Sequence, residues 1–497
     1  MLPKIILIRK ITILCCCAIL FVNSYWVSQF FAVEPDAVDA AICCGNFETA
    51  KKLIDQQLFD GKMTPKEIWL RQYQKEIMNR IKNDFQGNEE QILNRIMQYY
   101  PEVTPEQIQK WKADKSLEVM MIDGKEQYFH AAAANFFRIN KQAQQRKFEK
   151  DGARNTSLEY FLQKHLSAIY AQAEQSGCAE NHEPQTMCVT YTLTVLPNAV
   201  PEGEIIRCWL PYPYRNHRRQ TGIVLLDSNL NDPIISPPAN EHSTIYAEKF
   251  AEKNQPTVFR IRFQYGSTGE WFSLKLSSIK PYNKESELYK KYTAEYSEHI
   301  IFTEEIKNLS KTIIGTEKEP VAVFRKIYET ITANYPWASS REYSTMRNIP
   351  SYVIENGHGD CGMLSLLLIT LCRYNGIPAK WQSGFMMHPK HAGMHDWAEV
   401  YFEGIGWIPV DPSLGERKIF DTKEELASFF MRGIDSYRLI INEDYSCRLY
   451  PAKIYPRSET VDFQRGEVEW RGGNLYFDQW NWNLHVEYLK EPDNTVQ

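Results

Sequence analysis

The 497-residue chain has no C-x-x-C pair and no H-E-x-x-H motif. Those spacings most readily announce a structural or catalytic metal, so no metal site and no cofactor is signalled. A calcium-loop pattern is also missing. There is no surplus of basic residues. The 57 Lys and Arg against 62 Asp and Glu leave a net charge of −5, which removes any reason to expect nucleic acid as a partner. Charged residues at 24% and hydrophobic residues at 43% are ordinary for a globular protein, so nothing points to a disordered or fibrous chain.

The first 32 residues differ from the rest. Lys4, Arg9 and Lys10 precede Ile11–Phe31, a stretch without charge. This is the pattern of a secretory signal peptide or a single membrane anchor. The continuously apolar part, Ile11–Val22, is short, and Val22-Asn23-Ser24 is a tolerable cleavage site, which favours a signal. Tyr25 and Trp26 would suit a membrane interface and keep attachment through the N-terminus in view. Either way the remainder is expected to be extracytoplasmic: periplasmic, cell-surface or secreted. In an oxidising compartment Cys178 and Cys188 are a candidate disulfide.

Periodicity divides the rest of the chain. Residues 33–180 read as helical. Thr64-Pro65-Lys66-Glu67 and Thr104-Pro105-Glu106-Gln107 are capping boxes with Pro at the first helical position. Ile68, Leu70, Ile77, Ile81 and Ile92, Leu93, Ile96, Met97 recur at amphipathic spacings. Residues 185–282 change to period two. Met187, Val189, Tyr191, Leu193 and Val195, then Phe259, Ile261, Phe263 and Tyr265, alternate with polar neighbours, which predicts an antiparallel β-sandwich-like domain. Residues 283–425 return to mixed helix and strand, and 426–497 form an extension rich in Trp and Tyr. The whole predicts a multidomain α+β protein. Trp470, Trp480 and Trp482 could line a groove, but strand packing is the simpler role for aromatics at such spacing.

The chemistry concentrates at Gly359-Asp360-Cys361-Gly362. Asp360 is a good N-cap, and the run Met363–Cys372 is apolar, ending at Asn375-Gly376 with Pro378 beyond. Cys361 is thus expected in the first turn of a buried helix, where the positive end of the dipole favours thiolate over thiol. A helix starting at Pro320, with Phe324, Ile327, Tyr328 and Ile331 on one face, should pack against it. Gly357-His358-Gly359-Asp360-Cys361-Gly362 also fits the dinucleotide pattern G-x-G-x-x-G. That pattern needs an acid about 20 residues on, where Trp381-Gln382-Ser383 stand, so the nucleotide reading is set aside.

Downstream, His395–Phe402 and Trp407–Asp411 read as two strands of a hairpin. A register pairing Tyr401 with Trp407 makes His395 and Asp411 diagonal neighbours on one face, within side-chain reach. His358, His388 and His391 are alternative histidines nearby, and Asp396 is a decoy for Asp411.

Gly-Asp-Cys-Gly, Gly376-Ile377-Pro378-Ala379, Ser383-Gly384-Phe385, His395-x-Trp397-Ala398-Glu399-Val400-Tyr401 and Gly406-Trp407-Ile408-Pro409-Val410-Asp411-Pro412 together resemble the core of the transglutaminase-like superfamily, which is papain-related. A looser resemblance to a bacterial extracytoplasmic subgroup takes in Tyr437-Arg438-Leu439-Ile440 and Val461–Gly466. The resemblance implies a papain/transglutaminase-like α+β catalytic core with a Cys, His, Asp triad at Cys361, His395 and Asp411. It also implies cysteine-dependent acyl transfer on a peptide or protein amide, with cell-wall peptide among the candidates. Hydrolysis is favoured over cross-linking, because water is always present while amine selection needs a second site. The missing calcium loop departs from the animal transglutaminases. The competing expectation is a non-catalytic extracytoplasmic binding or scaffold protein built on the same core.

Overall fold

The computed structural model describes residues 36–152, 157–274, 278–389, 391–415 and 424–489. The expected leader, residues 1–32, lies outside them. Among the described residues no helix is long and apolar enough to cross a membrane. The chain divides into two compact units, with the boundary at Ala133/Ala134.

The first unit holds helices α1 (Ala37–Cys43), α2 (Phe47–Phe59), α3 (Pro65–Asp84), α4 (Glu89–Met97) and α5 (Pro105–Ala113), then the hairpin β1 (Val119–Ile122) and β2 (Lys125–Tyr128). Both capping boxes form. Thr64 and Thr104 accept from the backbone of Glu67 and Gln107, whose side chains return to the cap backbone. Asp123 and Gly124 turn the hairpin with positive φ at both positions, as an Asp-Gly turn requires. The apolar faces are narrower than the spacing implied. Ile81, Ile92 and Ile96 are buried, whereas Ile68, Leu70 and Met97 are exposed. On α3 the inner positions go instead to Arg71, Met78, Arg80 and Ile81.

In the second unit, α6 (Ala132–Ile139) runs across the boundary and is followed by α7 (Lys141–Asp151) and α8 (Ser157–Ser176). Helix α8 lies against the β-domain: Leu162, Leu166, Ile169 and Ala173 cluster with Trp271, Phe429 and Phe430. Next come β3 (His182–Val195), β4 (Ile205–Pro211), β5 (Gln220–Ser228), β6 (Ile234–Ile235), β7 (Thr244–Phe250) and β8 (Thr257–Trp271). The two long alternating segments pair as β3 with β8, Val189 opposite Phe263, and their odd-numbered apolar residues share one core. Cys178 and Cys188 are both free thiols. Cys188 sits six residues inside the extended β3, roughly 20 Å along the strand from its start, so the expected bridge is out of reach.

Helices α9 (Glu287–Thr293), α10 (Glu304–Ile314), α11 (Pro320–Asn334), α12 (Ile349–Asn356) and α13 (Cys361–Tyr374) precede β9 (Ala379–His388), β10 (His391–Phe402) and β11 (Gly406–Val410). Phe324, Ile327 and Ile331 of α11 pack with Leu364, Leu367 and Leu368 of α13, as the sequence predicts. The remaining strands are β12 (Gly433–Ile434), β13 (Arg438–Asn442), β14 (Glu467–Trp470), β15 (Gly473–Leu475) and β16 (Trp480–Tyr488). They distribute over three sheets. The first is β12-β8-β3-β16 with β5 also on β8, the second is β15-β14-β4-β7-β6, and the third is β11-β10-β9-β13. Trp480 is buried in the sandwich core, with Trp470 and Trp482 packed against it, so the aromatic-rich stretch is strand packing.

Strands β9 and β13 approach closely at Gly384, where an added Cβ would stand 1.9 Å from the Leu439 carbonyl oxygen. A Gly384→Ala substitution must spread these strands and should cost about 1–3 kcal/mol or more of stability, measured as a lower urea midpoint at unchanged m.

Candidate active site

Helix α13 begins as the sequence predicts. The Asp360 carboxylate caps it by accepting from the Met363 N–H at 3.1 Å, and Cys361 is its first residue. Gly362 is required by close approach: a Cβ there would meet the Tyr343 hydroxyl at 2.3 Å and an Asp396 carboxyl oxygen at 2.7 Å. Beyond it the helix is buried on all sides through Arg373.

The hairpin takes the expected register. Tyr401 pairs with Trp407 and Ala398 with Val410, which carries Trp397 opposite Asp411. His395 and Asp411 meet on one face, with His395 Nε2 at 2.7 Å from Asp411 Oδ2. The other Asp411 oxygen accepts from the Ser413 hydroxyl at 2.7 Å. Arg438, arriving on β13, donates to Asp411 at 3.1 Å and to Asp435 at 2.8 Å, and neither its side chain nor either carboxylate is exposed to solvent. Asp435 in turn holds His388 Nε2 at 2.9 Å, so that histidine has a structural role. The Trp397 ring stacks on His395 at 6.1 Å and lies 5.3 Å from the Arg438 guanidinium. Burial works to raise the Asp411 pKa, but the His395 ring and the Arg438 cation outweigh it and hold the carboxyl well below its usual range. With Nε2 committed to Asp411, Nδ1 is the ring atom left to meet a thiol.

The thiol itself has a different partner. Cys361 Sγ donates to Asp396 Oδ2 at 3.4 Å, and among the described residues it has no hydrogen bond to His395. Strand alternation explains this. Ala398, Val400 and Phe402 face the helices, so Asp396 does too, while His395 shares the opposite face with Trp397. Asp396 is therefore no orienter of the imidazole but a neighbour of the sulfur, which the sequence did not disclose. Its other oxygen accepts from the Gln464 amide at 2.8 Å. The Tyr343 hydroxyl donates to Asp360 at 2.6 Å and lies 3.5 Å from Asp396.

The electrostatics here run against the expected thiolate. Burial, then the nearby Asp396 and Asp360 carboxyls, push the Cys361 thiol well above its ordinary pKa. Burial and Asp360 likewise raise Asp396, favouring its protonated form.

One other cluster has ligand-like composition. His217, Glu399 and Glu443 bring one donor atom each within 4.8 Å of one another. Lys380 and Arg218 approach Glu399 at 3.0 Å and 3.1 Å, and Lys380 also pairs with Glu443, so side-chain cations already supply the positive charge.

Residues 307–412 match the family model described as the transglutaminase-like superfamily, and this region of the chain is a transglutaminase-like core domain. A 102-residue stretch is 29% identical to the uncharacterized protein YebA of Bacillus subtilis (strain 168), covering 18% of this chain and 13% of that protein's length. Among solved structures the chain is similar to a candidate cysteine protease from Cytophaga hutchinsonii, with 13% identity over 63% of this chain and 93% of that one, TM-score 0.43. It is also similar to the periplasmic domain of TgpA from Pseudomonas aeruginosa, with 13% identity over 50% of this chain and 91% of that one, TM-score 0.27.

Asp396→Asn takes away the ionised form of this carboxyl, the form that opposes a thiolate beside it. Asp396→Asn should raise the iodoacetamide alkylation rate of Cys361 at pH 8 about tenfold for each unit by which the thiol pKa falls, read by mass spectrometry with buried Cys372 as the slow internal control. An unchanged rate would show that Asp396 does not load the thiol.

Proposed function

We propose that the protein carries out cysteine-dependent acyl transfer on peptide or glutamine amides, with water as the usual acceptor. The observation that carries this reading is the buried His395–Asp411 pair, fixed through Nε2 and anchored by Arg438, in a core domain whose buried helix starts at Cys361. In the proposed cycle Cys361 gives its proton to His395 Nδ1 and its sulfur attacks the amide carbonyl. The imidazolium returns that proton to the leaving amine, leaving a thioester. Water, deprotonated by the same ring, then attacks the thioester carbonyl; the C–S bond breaks, the acid leaves, and the sulfur takes the proton back from the ring. Asp411 holds the tautomer and offsets the imidazolium charge. The Cys361 N–H at the helix start is one oxyanion donor. This cycle requires the sulfur to leave Asp396 and meet Nδ1 of the ring.

Its place of action is proposed as extracytoplasmic, on the leader sequence, which makes cell-wall peptide a fitting substrate class. The competing reading is a non-catalytic binding or scaffold protein. It is favoured by one specific observation, the raised thiol pKa with the sulfur bonded to Asp396 rather than to imidazole.

Casein, wall peptides and a labelled amine acceptor separate these readings. Amine release without incorporation of label is expected for the hydrolase. Cys361→Ala should abolish it, and Asp411→Asn should lower kcat by a factor on the order of 10³–10⁴, through the wrong histidine tautomer. Equal rates in the wild type and Cys361→Ala would leave the binding reading.

A further inference from the structure

An open depression of about 570 Å³ lies between α6, α7 and the segment 336–337, lined by Phe137, Phe148 and Trp337 and by the charged Arg138 and Lys147. Its volume falls in the range of ligand pockets, roughly 300–1,000 Å³. Two of its aromatic rings are open to solvent: Phe148 is 56% exposed and Trp337 41%. Lys147 is balanced by Asp151 at 2.5 Å. Arg138 has no such balance. Its guanidinium lies 4.6 Å from the Trp337 ring and donates to the neutral oxygens of Asn135 at 3.2 Å and Ser339 at 3.1 Å, and among the described residues it has no carboxylate partner. Burial lowers its pKa with no acidic group offsetting the shift. A half-buried cation against an aromatic wall is a recognition element for an anion attached to an apolar body.

Hydrogen bonds join the pocket to the Cys361 loop. Asn135 grips the backbone of Ser339 twice, at 2.8 Å and 2.9 Å, which fixes α6 to the loop. Trp337 forms a parallel bridge with Gly359, and the Ala338 N–H donates to the Gly359 carbonyl at 3.0 Å. A bridge spacing of about 5 Å plus two residues of chain puts the Trp337 backbone within roughly 12 Å of the Cys361 Cα. A peptide of three or four residues covers that distance.

We propose that this cavity is a substrate subsite for a peptide in which a bulky apolar side chain stands next to a carboxylate, with the apolar group between Phe148 and Trp337 and the carboxylate on Arg138. The inference rests on the acyl-transfer reading for the identity of its ligand as substrate. The carboxylate could be the peptide's own C-terminus or an acidic side chain.

Binding is measured by fluorescence anisotropy on the otherwise intact Cys361→Ser protein, which needs no turnover. Three probes are used: fluorescein-Gly-Gly-Gly-Phe as the free acid, the same peptide as its amide, and fluorescein-Gly-Gly-Phe-Asp-Gly amide. Tighter binding of the first than the second assigns the chain terminus, and tight binding of the third assigns an acidic side chain. In either case Arg138→Ala should weaken the carboxylate-bearing probe by about tenfold to a hundredfold and leave the amide unchanged. Phe148→Ala, at an exposed position that folding tolerates, should weaken every probe that binds. Equal affinity for all three probes, no binding of any, or an acid preference that survives Arg138→Ala would overturn the proposal. Binding as expected in a protein without Cys361-dependent turnover would sink the acyl-transfer reading alone. Turnover with no carboxylate preference would sink the subsite alone.

Discussion

The buried guanidinium of Arg438 is the constraint on which the candidate site depends. Asp411 and Asp435 are fully enclosed, and two carboxylates in that volume would be untenable without a cation between them. Removing one partner of such a buried group typically costs about 3–5 kcal/mol, because the remaining charge is left unpaired. Arg438 comes from β13, the edge strand paired to β9, so the ionised state of Asp411 depends on a strand outside the hairpin that carries it. Through Asp411 the same cation fixes which nitrogen of His395 is occupied, and through Trp397 it supports the face on which that ring lies.

The two faces of β10 divide the chemistry. One carries His395, Trp397 and Glu399, all enclosed among charged partners. The other carries Asp396, Ala398, Val400 and Phe402 against the helices. The sulfur at the start of α13 meets the second face. The arrangement holds a neutral thiol beside a carboxyl whose environment also favours its proton, with the polarised imidazole held apart on a separate support. The proposed chemistry requires the two to meet, and in this structure the sulfur is hydrogen-bonded to Asp396 and the imidazole to Asp411.

Much of this was legible in the sequence because it is local. Asp360 before an apolar run, with Asn375-Gly376 after it, defines α13 by capping alone. Of the two hairpin registers the sequence allows, only the one pairing Tyr401 with Trp407 puts His395 and Asp411 on one face, and the period-two rows of β3 and β8 announce their shared core. What stayed hidden is long-range or depends on which face is buried. Nothing near Arg438 shows that it will meet Asp411 across two strands. The Asp396–thiol contact needs knowledge of which side of β10 the helix covers, and Asp396 read only as a rival to Asp411. Spacing on α3 located a helix but not its inner face, since Ile68 and Leu70 satisfy the same period as residues that are buried.

The late strands have a consequence for how the molecule is made. β13 completes the sheet under the candidate site, β14 and β15 extend one sheet of the sandwich, and β16 lies along β3 in the other, from Met187 to Val195. During synthesis the earlier partners must wait with open edges until these segments emerge. The helix bearing Cys361 is translated well before the arginine that stabilises Asp411, so a nascent chain cannot complete the Asp411–Arg438 pair early. Such delayed closure leaves the candidate site unfinished until folding is nearly complete.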